Sequence, residues 1–358
     1  MKSLHIADRA IGPSEPVFVI AEISANHNQS FDRAVELVRV AAEAGADAVK
    51  LQTYTADTLT INCDRELFRI GPGSPWSGRT LYDLYQEAHT PWDWQPQLKA
   101  VADDIGIPLF STPFDPTAVD FLETMDVPAY KIASFEIVDT PLIARVAATG
   151  KPIIMSTGMA TLSEVAEAVQ VARDSGCEDL ALLKCTSSYP APPEEANLKT
   201  IRHLSDAFGV ITGLSDHTLG IAVPVAAVAL GARIIEKHFT LSRKDAGPDS
   251  AFSLEPDEFA AMVEAVRITE SATGEVSYVR TPKELASFQF RRSLFAVQDI
   301  KAGERFTPDN VRSIRPGQGL PPKFTNLVFE STASQVVKRG TPLGWHHLVS
   351  HPEGPTSD

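Results

Sequence analysis

The sequence predicts an α/β protein, a (β/α)8 TIM barrel followed by a small C-terminal unit, on three observations. Eight short apolar runs alternate with segments of helical period between residues 17 and 271. The runs have no polar face, as expected of a parallel sheet covered on both sides. No GxGxxG loop follows the first run, which disfavours the alternative, an open doubly wound sheet. After about residue 272 the texture changes to tight turns and short strand-like runs.

In chain order, residues 17–24 form a strand-like run broken by one carboxylate, Glu22, and the polar loop 25–30 leads into a helix over 31–44 closed by Gly45. Further strands are expected at 48–54, 107–114, 129–134, 152–158 and 179–187. The seventh begins at Val210 and the eighth at Ala232; each leads to a histidine, His217 and His238. Helices are expected at 93–105, 115–124, 140–148, 161–175, 219–230 and 255–271. The connection 55–92 is long, as lids and binding loops are, with a short helix near 80–88. Trp76, Tyr82, Tyr85 and Trp92, with Trp94 just beyond, crowd there; Tyr82 and Tyr85 are expected to form a small core of that segment, with Trp76 a candidate for facing a sugar. Residues 271–277 read as a linker. The expected domains are 1–280 and 281–350, with a disordered tail at 351–358. A unit of some sixty residues is small for an independent core and is expected to lean on its own barrel or on a partner subunit.

Composition excludes several classes. Apolar content of 43% and charged content of 22% are those of a soluble globular protein. A formal net charge of −14 argues against nucleic acid and membrane surfaces as partners, so an anion site must be built locally from placed lysines. Cysteines 63, 177 and 185 are odd in number without a CxxC, which suggests a reducing compartment. With no signal-peptide pattern and no apolar run of spanning length, a cytoplasmic location is expected.

Neighbouring strands lie about 4.8 Å apart, so imidazoles at adjacent strand ends can reach one metal ion. Ser215 and Glu236, two residues before each histidine, share the histidine's face. Buried structural histidines are the alternative for either ring alone. Two imidazoles without cysteines suit a mixed nitrogen and oxygen site for Mn²⁺, Fe²⁺, Co²⁺ or Zn²⁺. Catalysis in such barrels sits at the C-terminal strand ends. There Lys50 and Lys131, with nearby hydroxyls, would make a cationic pocket suited to phosphate or carboxylate. Lys184 and Lys237 read as ion-pair partners of acids on the surrounding helices, and His27 as a residue that lines the mouth.

The segments 20–28, 48–52, 110–114, 131–134, 155–159, 185–190, 213–217 and 236–239 resemble the sialic acid synthase family, in order and over nearly the whole chain. Residues 291–294 and 313–317 resemble that family's antifreeze-like (SAF, β-clip) domain. Within the family, residues 76–85, 90–92, 135–136 and 315–323 are similar to the pseudaminic acid branch, with the N-acetylneuraminate and legionaminate synthases its nearest competitors. The resemblance implies condensation of phosphoenolpyruvate with an N-acetylated amino-sugar aldehyde, releasing phosphate by C–O cleavage. It implies a divalent metal, Mn²⁺ or Mg²⁺, held by His217 and His238, and phosphoenolpyruvate contacts at Lys50, Thr112, Lys131, Ser134, Ser156 and Ser215. Glu22 would accept a proton, and Gln52, Tyr189 and Asp249 would meet the sugar. Arg315 would reach a neighbouring subunit in a domain-swapped homodimer. Ser187 departs from the asparagine common in the neuraminate branch. A pyruvate aldolase would share the barrel and histidines but release no phosphate. A non-catalytic carbohydrate- or ice-binding protein would leave the lysines and paired histidines without a role.

Overall fold

The eight apolar runs close on themselves. A computed structural model describes residues 3–73, 76–245 and 247–349. A hairpin, β1 (Leu4–Ile6) and β2 (Arg9–Ile11), precedes β3 (Phe18–Glu22), β4 (Ala48–Thr53), β5 (Leu109–Pro113) and β6 (Tyr130–Ile132). Then follow β7 (Ile153–Ser156), β8 (Leu180–Cys185), β9 (Ile211–Asp216) and β10 (Ile234–His238). Strands β3 to β10 are parallel neighbours, and β10 pairs with β3 to complete the barrel. Alternation divides each strand between two cores. Phe18, Ile20 and Ile234 join one cluster, whereas Val19, Ala21 and Ile235 pack with Leu37, Phe259 and Met262 of the surrounding helices. The hairpin was not expected from the sequence; it adds Leu4, Ile6 and Ile11 to the first cluster.

The helices start where capping chemistry permits. α1 (Phe31–Glu43) begins after Ser30, whose hydroxyl accepts from the Arg33 amide. In the 55–92 connection lie the single-turn α2 (Ala56–Leu59) and α3 (Leu81–Ala88). α4 (Gln95–Ile105) stops at Gly106, whose φ of 82° suits a residue without Cβ. α5 (Pro116–Thr124) and α6 (Thr140–Ala147) carry aspartate caps and proline in the first turn. α7 (Leu162–Asp174) has a Thr161–Glu164 capping box, and α8 (Lys199–Phe208) ends at left-handed Gly209. α9 (Ala222–Ala229) begins three residues later than expected, because Thr218 is held by side chains of β9 and β10. α10 (Pro256–Thr273) overruns the expected linker, which starts only at Gly274.

The chain divides into two units, the first ending at Gly274 and the second starting at Glu275. In the second, α11 (Pro282–Ser287) precedes an antiparallel pair, β11 (Ser293–Ala296) and β12 (Val311–Ile314), and then α12 (Thr325–Phe329). It buries a cluster of its own, including Leu294, Phe306, Val311, Val328 and Leu343. The tail 351–358, along with Ser74 and Pro75 of the long connection, lies outside the described residues. Among the described residues no helix is long and apolar enough to cross a membrane, and Cys63, Cys177 and Cys185 are free thiols.

The aromatic residues of 55–92 do not make a common core. Trp94 packs edge-on to His27 and Phe31, Trp92 stacks on Phe121 of α5, and Tyr85 meets Tyr54. Tyr82 donates to the Asp57 carboxylate at 3.4 Å. Trp76 donates its indole N–H to the Pro248 carbonyl at 2.9 Å and lies 5.7 Å from the Tyr189 ring.

Candidate active site

The inward-facing residues at the C-terminal ends of the strands are charged, although the strands below them are apolar. Strand register sets Glu22 beside Lys50 and His238, and Ser215 beside Glu236. The Lys50 ammonium pairs with Glu22 Oε2, lies 3.8 Å from Glu236 Oε2 and donates to Thr112 Oγ1 at 3.1 Å. Lys131 donates to Glu236 Oε1 at 3.1 Å, and the Ser215 hydroxyl to the same oxygen at 2.8 Å. All four ionisable side chains are buried. The expected cationic pocket is therefore corrected: two glutamates oppose the two lysines, because desolvating an ammonium requires a counter-charge.

The two carboxylates are tuned in opposite directions. Burial pushes Glu22 up to about 7, with Lys50 opposing the rise and the Glu236 charge adding to it. Burial would raise Glu236 as well, but Lys131 and Lys50 outweigh it and hold that group at about 2. Glu22 thus exchanges a proton near neutral pH while Glu236 stays ionised.

Beyond this quartet stand the histidines. His217 lies one residue past β9, and His238 is the last residue of β10, with ring centroids 5.3 Å apart. His217 Nδ1 is 2.9 Å from the Thr186 carbonyl, which fixes that nitrogen as a protonated donor and points Nε2 away from that bond. The Cys185 thiol lies 3.8 Å from the same Nδ1. His238 Nδ1 is buried without a hydrogen-bond partner. Burial, then His217 and the lysines, keep His238 well below its ordinary pKa, as a neutral imidazole. Tyr189 lies over His217 at 4.3 Å, and Phe252 closes the apolar side 5.0 Å from His238. Among the described residues no group of three or more histidine, cysteine, aspartate or glutamate side chains is gathered for a metal. The imidazole pair, with an orphaned buried nitrogen, nonetheless fits a divalent cation that takes its remaining ligands from water or substrate.

The other expected residues fall around these groups. Ser134 Oγ accepts from the Gly158 amide at 3.0 Å, and a Cβ at Gly158 would come within 2.7 Å of it and 2.2 Å of Ser187 Oγ. Ser156 Oγ is buried with no partner, a hydroxyl free to donate to an anion. Gln52 donates to Ser24 Oγ at 3.0 Å, and Ser24 in turn donates to Asp249. Arg315 follows β12 in the second unit.

Three expectations are corrected. His27 does not line the mouth; it is fully buried, with Nε2 3.1 Å from Thr90 Oγ1 and its ring against Trp94. Lys237 does form an ion pair, but with Asp216 of the adjacent strand and not with a helix acid. Lys184 bonds to the Cys185 carbonyl at 2.6 Å. Two groups were missed. Ser24, at φ 47°, donates its amide to Glu22 Oε1 at 2.7 Å and so ties Glu22, Gln52 and Asp249 together. Glu136 has a buried, unpartnered Oε2, and burial pushes it up to about 7; its place two residues after Ser134 was the available signal.

The NeuB family model matches residues 37–278, and the SAF domain model matches residues 291–349. The chain is 48% identical over 327 residues to a pseudaminic acid synthase of Campylobacter jejuni, covering 91% of this chain and 95% of the relative. It is 44% identical over 330 residues to a pseudaminic acid synthase of Helicobacter pylori, covering 92% and 97%. Among solved structures, the N-acetylneuraminic acid synthetase of Leptospira borgpetersenii matches with a TM-score of 0.72 and 31% identity, over 81% of this chain and 96% of that one.

Proposed function

The chain belongs to the NeuB family, and from that premise we propose that it condenses phosphoenolpyruvate with 2,4-diacetamido-2,4,6-trideoxy-L-altrose to give pseudaminic acid and phosphate. The choice of sugar rests on the pseudaminic acid synthases among its relatives. The observation that carries the chemistry is the pairing of His217 and His238, 5.3 Å apart, beside the buried Lys50 and Lys131.

Lys50 and Lys131 would exchange part of their carboxylate pairing for the phosphate and carboxylate of phosphoenolpyruvate, joined by Thr112, Ser134, Ser156 and Ser215. The unpartnered Ser156 hydroxyl supports that reading. Gln52, Tyr189 and Asp249 would orient the sugar, the last two from positions beside the histidine pair and the Ser24 knot. His217 and His238 would hold a divalent cation, with Mn²⁺ better suited to two imidazoles than Mg²⁺. Bound there, it supplies Lewis-acid polarisation of the aldehyde oxygen. C3 of the enol phosphate attacks the aldehyde carbon and water adds at C2; Glu22 takes one proton of that water and returns it to the former aldehyde oxygen, and the C2–O bond to phosphate breaks as the remaining hydroxyl proton passes to the departing phosphate and the ketone forms. Glu22 suits this step because it is buried beside Lys50 and poised near neutrality. Free thiols and the phosphoenolpyruvate requirement favour the cytoplasm as the site of action. A homodimer in which Arg315 of one subunit serves the other's barrel is supported by apolar side chains left exposed beyond the strand ends, Phe135, Val138, Met159 and Leu219 on the connections and Leu162 at the start of α7.

Phosphate release with phosphoenolpyruvate and a panel of sugars tests the assignment. The L-altro diacetamido sugar is expected to give the highest kcat/KM, ahead of the manno isomer and N-acetylmannosamine. Preference for either of those would instead make the chain a legionaminate or N-acetylneuraminate synthase, and pyruvate turnover without phosphate would make it an aldolase. Oxygen-18 placed at the bridging position should leave with phosphate.

Glu22→Gln is expected to lower kcat by about 10²- to 10⁴-fold with little change in KM for phosphoenolpyruvate. A proton acceptor must be ionised, so native kcat/KM should rise with pH through about 7. That limb should vanish in the variant. An unaltered pH profile in Glu22→Gln would remove Glu22 from this role.

A further inference from the structure

The two histidine strands stop pairing just short of the histidines. The β9–β10 register ends at Asp216 opposite Lys237, the residues immediately before His217 and His238. Side chains on the outward face tie these two strand ends together. The Lys237 ammonium, fully buried, bonds both the Asp216 carboxylate and the Thr218 carbonyl. Asp216 in turn accepts from the Thr218 amide at 3.0 Å and from its hydroxyl at 3.1 Å. The residue before His238 therefore grips the residues on both sides of His217. A buried ion pair is poor stabilisation, since apolar side chains of similar volume serve as well or better, and its value lies in fixing one arrangement.

We propose that the Lys237–Asp216 pair is a positioning element that fixes His217 relative to His238 and thereby sets the affinity of the site for a divalent cation. It rests on the reading of the two histidines as cation ligands. Neither Lys237 nor Asp216 faces the pocket, because strand side chains alternate and their neighbours Glu236 and Ser215 point inward. They act through the histidines alone.

The test titrates Mn²⁺ into the full-length protein by electron paramagnetic resonance, alongside thermal denaturation. Native protein, Lys237→Met, Asp216→Asn and the double variant Asp216→Leu/Lys237→Met are compared. Loss of positioning should weaken Mn²⁺ by about 10- to 100-fold in both single variants, the range seen when groups supporting metal ligands are removed. The double variant should regain thermal stability without regaining Mn²⁺ affinity, which separates positioning from simple stabilisation. Folded Lys237→Met with Mn²⁺ affinity within about twofold of native overturns the proposal while leaving the histidine site standing. If Lys237→Met does not fold, Asp216→Asn, which preserves shape, decides by the same criterion. Native protein that binds no Mn²⁺ overturns the cation reading and this proposal with it.

Discussion

Replacing His217 or His238 by alanine should lower turnover by at least about 10³-fold while the protein melts within about 5 °C of native. The reasoning joins charge to geometry. Negative charge collects on the aldehyde oxygen as the carbon–carbon bond forms, and a fixed cation beside it is worth several kcal/mol. One remaining imidazole cannot hold that cation in place. The fold loses little. His217 gives up its hydrogen bond to the Thr186 carbonyl, worth about 1 kcal/mol, and a long contact to the Cys185 thiol, and His238 Nδ1 has no partner to lose. Exhaustive chelation should reproduce the loss in native protein, and added Mn²⁺ should reverse it. Full turnover in metal-free protein, or in either alanine variant, would contradict the assignment.

The barrel could be read from the sequence because each strand is apolar on both faces, a pattern that needs no knowledge of its neighbours. The two histidines could be read because each ends such a run and a single crossover separates them. Other features depend on contacts between distant parts of the chain. Lys131 meets Glu236 across 105 residues, so the sequence displayed two lysines and suggested a cationic pocket, whereas folding supplied the counter-charges. Ser24 owes its place to a left-handed backbone that an ordinary serine does not announce. The hairpin Leu4–Ile6 and Arg9–Ile11 was missed because three-residue strands are too short to show alternation. The aromatics in and just after the 55–92 connection cluster in sequence but not in space, since Trp94 turns to Phe31, Trp92 to Phe121 and Tyr85 to Tyr54.

Lys131→Met should destabilise the protein by about 3–5 kcal/mol, because it leaves Glu236 buried with its main counter-charge removed. For a unit of this size that is a fall in Tm of at least about 6 °C. What remains to Glu236 is the Ser215 hydroxyl at 2.8 Å and the Lys50 ammonium at 3.8 Å, the latter already paired with Glu22. The sign of the pH dependence follows. In native protein the lysines depress Glu236 to about 2, so its contribution is present above the unfolded value near 4.5 and lost as pH falls from there toward 2. In Lys131→Met burial is opposed only by Lys50 and Ser215 and the folded value rises, so the variant is helped by protonation where the native protein is not. Its deficit relative to native should be larger at pH 8 than at pH 5, as measured by denaturant unfolding at both. Replacing the carboxylate as well, in Lys131→Met/Glu236→Leu, should restore Tm to the native range, since an apolar pair needs no counter-charge. It should not restore catalysis. Without the ammonium, KM for phosphoenolpyruvate is expected to stay raised by about 30-fold or more, the equivalent of one charged hydrogen bond of about 2 kcal/mol. A double variant as unstable as the single one would show that the uncompensated carboxylate charge is not the source of the loss. A single variant with native KM would show that Lys131 holds Glu236 and nothing else.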